Sequence, residues 1–277
     1  QSNEVAAWCG PLLQDGDSRK SGMQIYHRRE WDPQAGKRIG AEAVEKAVEL
    51  LKASPISGGK LPVVLDEYMA PRFLGMFFGA FSAESAQRGM SRLQGRLGET
   101  IAIPELTLLD DPHRQGANRS CFLDAEGFLT KPLPLIEEGV FRNFLYHVES
   151  ANKENKSSTG HAVRGYSGGI GTRSHNLVWP TGEFSLEQLC AQNSKCLLVT
   201  QLEGQAGCNP VSGDISIGVQ GFLIENGLRI QPVDSITLAG NFFDVLLNIR
   251  GSGNTYQPEL THSFIPALLI EGLTVSG

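Results

Sequence analysis

The sequence predicts an α+β fold of mixed, largely antiparallel sheets with short helices and glycine-rich loops. Strand-like and helix-like segments come mixed along the chain, without the regular βαβ alternation of a parallel α/β sheet. Glycine supplies 32 of the 277 residues, about 12% against a usual ~7%, which indicates many turns. Asn226-Gly227 and Glu138-Gly139 each separate two apolar runs, as in the turn of a β-hairpin.

The first elements are predicted to be a pair of strands and a helix. Residues 5–29 have the pattern of two strands joined by a polar turn at 14–20. A helix is predicted over 41–53, where apolar residues recur at helical spacing and Pro55 ends the pattern. The residues predicted to form its buried face are Val44, Ala47, Val48 and Leu51.

A short apolar strand at 61–65 leads to Asp66, which can cap a second helix. Aromatic residues of that helix recur every four positions and are predicted to lie in the core: Phe73, Phe77 and Phe81. Residues 100–145 have the pattern of short strands and turns, in which Pro132 and Pro134 predict an edge strand, because proline cannot donate to a ladder.

The C-terminal half is predicted to contain long strands between glycine-rich loops. A short helix near 146–153 precedes a glycine-rich loop at 157–175, and Ser185 with Gln188 forms a capping box for a brief helix. The remaining predicted elements are strands at 196–202, 215–224 and 264–270, a second glycine-rich loop at 203–214 and a helix near 241–248.

Charge and hydropathy argue against two classes of partner. The chain has 24 Lys and Arg against 30 Asp and Glu, a net charge of −6. Nucleic-acid binding needs a concentrated positive face, so no nucleic-acid partner is predicted. No apolar run approaches the ~18 residues of a membrane span, so no membrane partner is predicted.

Cysteine usage indicates a cytosolic protein. The five cysteines are odd in number, scattered and without a C-x-x-C pair: Cys9, Cys121, Cys190, Cys196 and Cys208. Such usage is typical of reduced, mostly buried thiols. The chain begins with Gln1 rather than Met, which suggests a fragment or a processed product.

Common catalytic motifs are mostly absent from the sequence. None of the six histidines belongs to an H-E-x-x-H zinc motif. Residues 165–169 match G-x-S-x-G around Ser167, but glycine-rich loop flanks them where a nucleophile elbow needs a strand and a helix. A metal site could still be assembled from distant residues, for instance His161, His175 and Cys208.

The two glycine-rich loops are the remaining candidates for a binding site. Dense glycine lets the backbone approach a ligand or another backbone closely. In one interpretation His161 and Asp214 line a peptide groove, and in the other they are hydrogen-bonded inside the fold. An exposed strand edge beside such loops could pair with an extended peptide through main-chain hydrogen bonds.

Long, ordered motifs at these loops and beyond resemble the TldD/PmbA family, whose members are often named modulators of DNA gyrase and classed as metalloproteases. The matching stretches are SSTGHA at 157–162, NPVSGDISIGVQGFLIENG at 209–227, PVDSITLAGN at 232–241, NIRGSGN at 248–254 and PALLIEGLTVSG at 266–277. The gyrase name finds no support in the charge balance. The resemblance implies that 39–277 is the family's C-terminal domain, and that 1–38 is the end of an upstream α/β domain (a hairpin) with a linker.

The resemblance also implies a paired cytosolic peptidase. One subunit type carries H-E-x-x-H and a cysteine ligand near its C-terminus, and the PmbA (TldE) branch lacks both. This sequence is similar to the second type, since no cysteine follows Cys208. We therefore expect a homo- or heterodimer with a TldD-like subunit, zinc only on the partner, and no catalytic or metal-binding residue in this chain. The candidate peptide-binding residues are Thr159, Gly160, His161, Asn209, Gly213, Asp214 and Asn241.

Two alternatives to this function remain open at the level of sequence. One is a stand-alone hydrolase or peptidase that uses Ser167 or a non-standard metal site. The other is a purely structural dimerisation module with no ligand of its own.

Overall fold

The computed structural model describes residues 3–277 and confirms the predicted α+β class, with antiparallel-rich sheets and short helices. The strands are β1 Val5–Cys9, β2 Leu12–Asp15, β3 Ser18–Ser21, β4 Gln24–Arg28, β5 Gly59–Lys60, β6 Val63–Leu65, β7 Leu108–Asp110, β8 Leu133–Glu137, β9 Val140–Phe141, β10 Ala162–Arg164, β11 Ile170–Thr172, β12 Leu177–Val178, β13 Lys195–Glu203, β14 Asp214–Glu225, β15 Leu228–Asn241, β16 Ile249–Ser252, β17 Ser263–Phe264, β18 Leu268–Ile270 and β19 Thr274–Ser276. The helices are α1 Ala35–Leu50, α2 Met69–Gly75, α3 Ala83–Gln87, α4 Val148–Asn152, α5 Leu186–Ala191 and α6 Phe242–Leu247, and a 3₁₀ turn covers Phe78–Phe81.

The larger sheet has eight strands in the order β16-β18-β6-β13-β14-β15-β19-β5. Its centre is the antiparallel run β13-β14-β15, and only the β6–β13 pair is parallel. The predicted turn between β14 and β15 is confirmed, because Asn226 and Gly227 both have positive φ, 50° and 78°. This sheet forms one wall of the main core.

The smaller sheet has five strands in the order β17-β12-β7-β8-β9. Glu138 and Gly139, with φ of 49° and 79°, form the predicted hairpin turn between β8 and β9. The edge-strand prediction from Pro132 and Pro134 is wrong, since β8 lies between β7 and β9. Pro134 is tolerated because β9 pairs only with Ile136 and Glu137 further along β8.

The N-terminal region forms four strands where two were predicted. β1 pairs with β4, and β2 pairs with β3. Both pairs have the same antiparallel register, and the residues between them are Gly10-Pro11 on one side and Gly22-Met23 on the other. A Cβ on Gly22 would lie 2.1 Å from the carbonyl oxygen of Ala43. Glycine is therefore required where this hairpin packs against α1.

Helix α1 begins earlier than predicted, and its buried face is shifted, so that of the four residues predicted to be buried only Ala47 is. Its buried residues are Ala35, Ile39, Ala43, Ala47 and Leu50. Val44 and Val48, predicted to be buried, are 41% and 53% exposed. Small alanines allow the hairpin backbone to approach, so they and not the valines form the packed face. The helix crosses the boundary predicted between residues 38 and 39, and a division there stays a prediction.

The predicted aromatic core is confirmed. Phe73, Phe77 and Phe81 are at most 1% exposed, and Phe77 stacks on Phe242 of α6 with ring centroids 4.8 Å apart. Asp66 caps α2 as predicted, accepting from the backbone N–H of Met69 at 2.7 Å. α2 is thereby fixed between the two sheets, with its exposed side toward the cavity described below.

The capping box predicted at Ser185 and Gln188 begins α5. The loop predicted at 157–175 contains the short antiparallel pair β10 and β11. None of the helices found within residues 3–277 has the length and apolar character that a bilayer crossing requires.

Candidate functional site: a buried polar cluster beside a cationic cavity

A buried polar cluster joins the end of β7 to the segments that flank the β10–β11 hairpin. It consists of Asp110, His161 and His175, which are 0%, 1% and 8% exposed. Asp110 Oδ2 accepts from His161 Nε2 at 2.6 Å and from the backbone N–H of His175 at 3.0 Å. Asp110 Oδ1 has no hydrogen-bond partner within the described part of the chain. The carboxylate therefore connects the smaller sheet to the first glycine-rich loop.

The other ring nitrogen of His161, Nδ1, lies 2.8 Å from Oγ1 of Thr159. The order hydroxyl, imidazole, carboxylate is that of a Ser-His-Asp triad. Here, however, the hydroxyl also accepts from the backbone N–H of Tyr146 at 2.8 Å. Thr159 is not among the residues that line the neighbouring cavity. The hydroxyl thus fixes the position of the loop and is not presented to a substrate.

His175 is held through both ring nitrogens as well. Nε2 donates to the carbonyl oxygen of Gly160 at 2.8 Å, and Nδ1 lies 3.4 Å from the Cys121 sulfur. Burial lowers the pKa of His175 and raises the pKa of the Cys121 thiol. A neutral imidazole that accepts from a protonated thiol is consistent with both directions.

The cluster contains residue types that bind metal ions, and ligand atoms of Asp110, His161 and His175 lie within 4.8 Å of one another. Each of the four ring nitrogens already has a partner. A catalytic zinc needs three protein ligands and an open position for water. In the fully enclosed arrangement described here, binding would first break several of these hydrogen bonds. Because all four ring nitrogens are engaged and only Asp110 Oδ1 lacks a partner in the described chain, the geometry fits a structural hydrogen-bond network better than a catalytic metal site.

Of the three residues that the sequence offered as a possible metal site, His161, His175 and Cys208, the fold brings only two together. His161 and His175 are neighbours, with ring centroids 4.9 Å apart. Cys208 lies in the β13–β14 loop, where it packs against the main core. The third member of the cluster is Asp110, which sequence reasoning missed. Its only signal was an acidic residue at the end of the apolar run LTLLD.

A cavity of about 620 Å³ opens beside the cluster, within the size range of small-ligand sites. It is lined by residues of β4, α2 and the following 3₁₀ turn, positions 118–119, the end of β11, and residues 257–263. Arg173 links the two features, because it lines the cavity while its backbone N–H donates to the His161 carbonyl at 3.1 Å. The buried cluster therefore supports one wall of the cavity.

The cavity is positively charged. Burial, followed by repulsion from Arg173, lowers the pKa of Arg119 to about 10. Burial, followed by the charges of Arg119 and Arg173, lowers the pKa of His262 to about 4. Glu259, the carboxylate in the lining, already accepts from Arg28 and from the backbone N–H of His27, both at 2.6 Å. Neither Arg119 nor Arg173 forms an ion pair with a carboxylate of residues 3–277, although the charge of the buried Asp110 acts on Arg119 from a longer distance.

The remaining candidate residues lie together at a separate place: Asn209, Gly213 and Asp214 in the turn that begins β14, and Asn241 at the end of β15, paired with Asp214. Asn241 Nδ2 donates to the Ser212 carbonyl at 3.0 Å and to Asp214 at 3.1 Å, while Oδ1 caps α6 by accepting from the backbone N–H of Phe243. Hydrogen bonds from Ser212 and Asn241 lower the pKa of Asp214. Among the described contacts this turn shares no hydrogen bond with the His161 cluster. The two loops thus form two sites, and the peptide-binding role of their residues stays a prediction.

Ser167 does not have the surroundings of a catalytic nucleophile. It lies exposed between the short strands β10 and β11, so no helix follows it. None of the hydrogen bonds found in residues 3–277 involves its hydroxyl. The G-x-S-x-G match is a hairpin loop.

Sequence comparisons with a family model and with known proteins all indicate the same family. The PmbA/TldA metallopeptidase C-terminal domain matches residues 58–277. Metalloprotease PmbA of Escherichia coli O157:H7 is 32% identical over 249 residues, which cover 90% of this chain and 53% of that protein. The PmbA homolog of Haemophilus influenzae is 34% identical over 278 residues, covering 100% and 59%. The chain thus spans somewhat more than half the length of these relatives.

Solved structures agree with the sequence comparisons. A protein of Thermotoga maritima MSB8 that bears the name of a DNA gyrase modulator superposes with a TM-score of 0.88 at 32% identity, over 98% of this chain and 62% of that chain. TldE of Thermococcus kodakarensis superposes with a TM-score of 0.83 at 25% identity, over 99% and 63%. These similarities confirm the resemblance predicted from the motifs.

Proposed function

We propose, on the premise that this chain belongs to the PmbA/TldA metallopeptidase family, that it is the PmbA-like subunit of a two-component TldD/PmbA peptidase. In this role it binds the peptide substrate and a metal-bearing partner, and it does not itself perform the hydrolysis. The observation that carries the proposal is an open cationic cavity beside a histidine pair whose ring nitrogens are all engaged.

The placement of zinc on the partner is supported by the state of the His161 cluster. A metal-bound water must reach both the metal and the scissile bond, which requires an open coordination position. His161 and Asp110 are enclosed on all sides, and their polar atoms fix the loop before β10. The cluster is suited to positioning the cavity wall.

Peptide binding is supported by the position of β17. It is an edge strand of the smaller sheet, paired only with β12. Ser263 of β17 and the two residues before it line the cavity. An edge strand offers main-chain groups to an extended peptide with little demand on its sequence. The N–H of Ser263 donates to Thr261 Oγ1 at 3.0 Å, so a substrate segment that pairs with β17 while its end enters the cavity would displace this hydroxyl.

A surface that could bind the partner lies on the loop at 121–130, which we call the apolar loop. Phe122 and Leu129 are 77% and 78% exposed, and Leu123 and Phe128 beside them are also exposed. The loop is ordered by a bridge between Leu123 and Leu129. A cluster of large apolar side chains on an ordered loop is typical of a protein interface.

A cytoplasmic location is supported by the cysteines. All five are free thiols, and Cys190 and Cys196 are buried. Free thiols persist in reducing compartments. We therefore place the subunit pair in the cytoplasm.

The proposal is tested by reconstitution with a TldD-type subunit that carries the zinc motif. This chain alone, loaded with zinc, should leave an unstructured peptide intact, and the Ser167→Ala variant should behave identically. The mixture should cleave the peptide, and a chelator should stop the cleavage. Zinc-dependent or serine-dependent cleavage by this chain alone would overturn the assignment, as would unchanged partner activity when this chain is omitted.

A further inference from the structure

We infer that the cationic cavity binds the C-terminal carboxylate of a peptide whose last side chain is apolar. The inference deepens the proposed function, on which it rests, by naming the part of the substrate that this subunit recognises. It depends on three features of the lining: unpaired guanidinium groups, unpartnered buried polar atoms and an apolar wall.

Three arginines line the cavity: Arg72, Arg119 and Arg173. None of them forms an ion pair with a carboxylate of the described chain; they share this with the arginines at 19, 29, 92, 114 and 164, whereas those at 28, 38, 88, 96, 142, 229 and 250 are paired. Arg72 and Arg173 are exposed. Arg119 is half-buried, and its guanidinium has only a long contact of 3.5 Å to the Ser174 carbonyl. A desolvated guanidinium without an anion is costly, and a carboxylate matches its planar pair of donors.

Two polar atoms of the same lining also lack partners. Within residues 3–277, Ser263 Oγ has none, although the residue is only 8% exposed, and Asn118 Oδ1 has none either. A buried polar group without a partner costs free energy unless a ligand or water satisfies it. Both atoms are enclosed behind the cavity surface, so a peptide end reaches them only if the Ser263 and Asn118 side chains rotate toward it. Its carboxylate would then accept from the serine hydroxyl and its last amide N–H would donate to the asparagine oxygen.

The rest of the lining is apolar and distinguishes a peptide end from a small inorganic anion. Apolar side chains contributed by β4, the 3₁₀ turn and later segments face the same space: Ile25, Phe78, Leu145, Leu177 and Leu260. Phosphate or sulfate would leave this wall exposed to water, whereas an apolar C-terminal side chain would bury it. Carboxylate, amide and apolar side chain together describe the last residue of a peptide.

The test uses the full chain and isothermal titration with two N-acetylated pentapeptides, Ac-Ala-Ala-Ala-Ala-Leu as free acid and as C-terminal amide. The acid should bind at least tenfold more tightly than the amide. Arg119→Gln and Arg173→Gln should each weaken binding of the acid about tenfold, the loss expected for one charge-assisted hydrogen bond, and leave binding of the amide unchanged. Arg88→Gln, which removes an exposed arginine paired with Glu84, is the matched control and should change neither.

Arg119→Lys keeps the charge and removes the planar donor pair, so it should give an intermediate affinity and covers the case in which Arg119→Gln does not fold. A peptide that ends in Asp should bind more weakly than the one that ends in Leu. Equal binding of acid and amide, or tighter binding of inorganic phosphate than of the acid, would overturn the inference. If cleavage depends on the partner but acid and amide bind equally, the inference about the carboxylate is wrong and the proposed function is not affected. If the acid binds selectively but cleavage does not depend on the partner, the proposed function is wrong and the inference about the carboxylate is not affected.

Discussion

His161 donates through Nε2 to Oδ2 of Asp110 across 2.6 Å, and both side chains are fully enclosed by protein. The two residues lie 51 positions apart in the sequence. The contact ties β7, at the centre of the smaller sheet, to the glycine-rich segment before β10. Because Arg173 is bonded to the carbonyl of His161, the same contact determines where one wall of the cationic cavity lies.

Removing the carboxylate should strongly destabilise the fold. Asp110→Ala leaves His161 Nε2 and the backbone N–H of His175 without an acceptor, so we expect a loss of about 3–5 kcal/mol in the free energy of unfolding. Asp110→Asn keeps one acceptor oxygen and should lose less. Asp111→Ala is the control, since that half-exposed carboxylate accepts only from the backbone N–H of His113 and should cost about 1 kcal/mol. Urea unfolding measures all three, and equal losses at positions 110 and 111 would contradict the expectation.

His262 should make the fold less stable in mild acid. Burial and two neighbouring arginines lower its pKa to about 4 from the ordinary 6.5. Between pH 6.5 and 4 the unfolded chain therefore binds a proton that the folded chain excludes, and stability falls as the pH falls through this window. Because the ring is partly exposed, we expect only on the order of 1 kcal/mol. Asp66, whose pKa burial raises to about 6, acts in the opposite direction.

Comparison of wild type with His262→Gln separates these contributions. The variant should lose less stability than wild type between pH 7 and pH 4.5, with Asp66 unchanged in both. Titration of the His262 ring by NMR gives the pKa directly. A ring that titrates at its ordinary value, together with identical pH profiles, would show that neither burial nor the charges of Arg119 and Arg173 lower its pKa.

Short sequence patterns predicted the hairpin turns correctly but predicted the wrong buried face for helix α1. Asn226-Gly227 was predictable because a tight hairpin needs positive φ at both positions, and both residues tolerate it. The buried face of α1 was not, because spacing alone weights Val44 above Ala43. Which face is buried depended on Gly22, whose missing side chain lets the hairpin backbone approach Ala43. That contact is between segments far apart in the chain.

The candidate site shows the same division. Thr159, Gly160 and His161 were recognisable because glycine density and family motifs marked one continuous loop. Asp110 and the arginines of the cavity were not, because each comes from a different segment and none belongs to a motif. Their common feature is tertiary: the ends of β7, β11 and the loop before β17 meet at one place. No periodicity or residue spacing in the sequence indicates that these segments meet.

The turn around Asn241 should behave as a structural element. Asn241→Ala removes the cap of α6 and the bonds to Ser212 and Asp214, so we expect a loss of about 1–2 kcal/mol. Asn241→Ser keeps a capping oxygen and should recover part of it. Binding of the acid pentapeptide by either folded variant should equal that of wild type. Unchanged thermal melting together with lost peptide binding would instead place Asn241 in the binding site.

The apolar loop should promote association of the purified chain. Its exposed Phe122 and Leu129 form a surface that water solvates poorly. We expect Phe122→Ser with Leu129→Ser to shift sedimentation profiles from dimer or larger species toward monomer. Leu12→Ser, at a similarly exposed position on the N-terminal hairpin, is the control and should leave association unchanged. Wild type that sediments as a monomer at high concentration would exclude this loop as a self-association surface.

The purified chain should hold less than about one-tenth of an equivalent of zinc after dialysis, because an occupied structural or catalytic site retains close to one. The strongest donor set found in residues 3–277 is Asp110, His161 and His175, and its ring nitrogens are used in hydrogen bonds to Thr159, Gly160, Cys121 and Asp110 itself. Zinc would have to displace these bonds inside an enclosed space and would still lack an open position for water. A chelator should therefore leave the melting temperature unchanged, and His175→Gln should not alter the trace of zinc that remains. Elemental analysis and thermal melts check both points. Near-stoichiometric zinc that disappears in His175→Gln, with a chelator lowering the melting temperature, would show that the cluster is a metal centre and that this chain belongs to the metal-bearing subunit type.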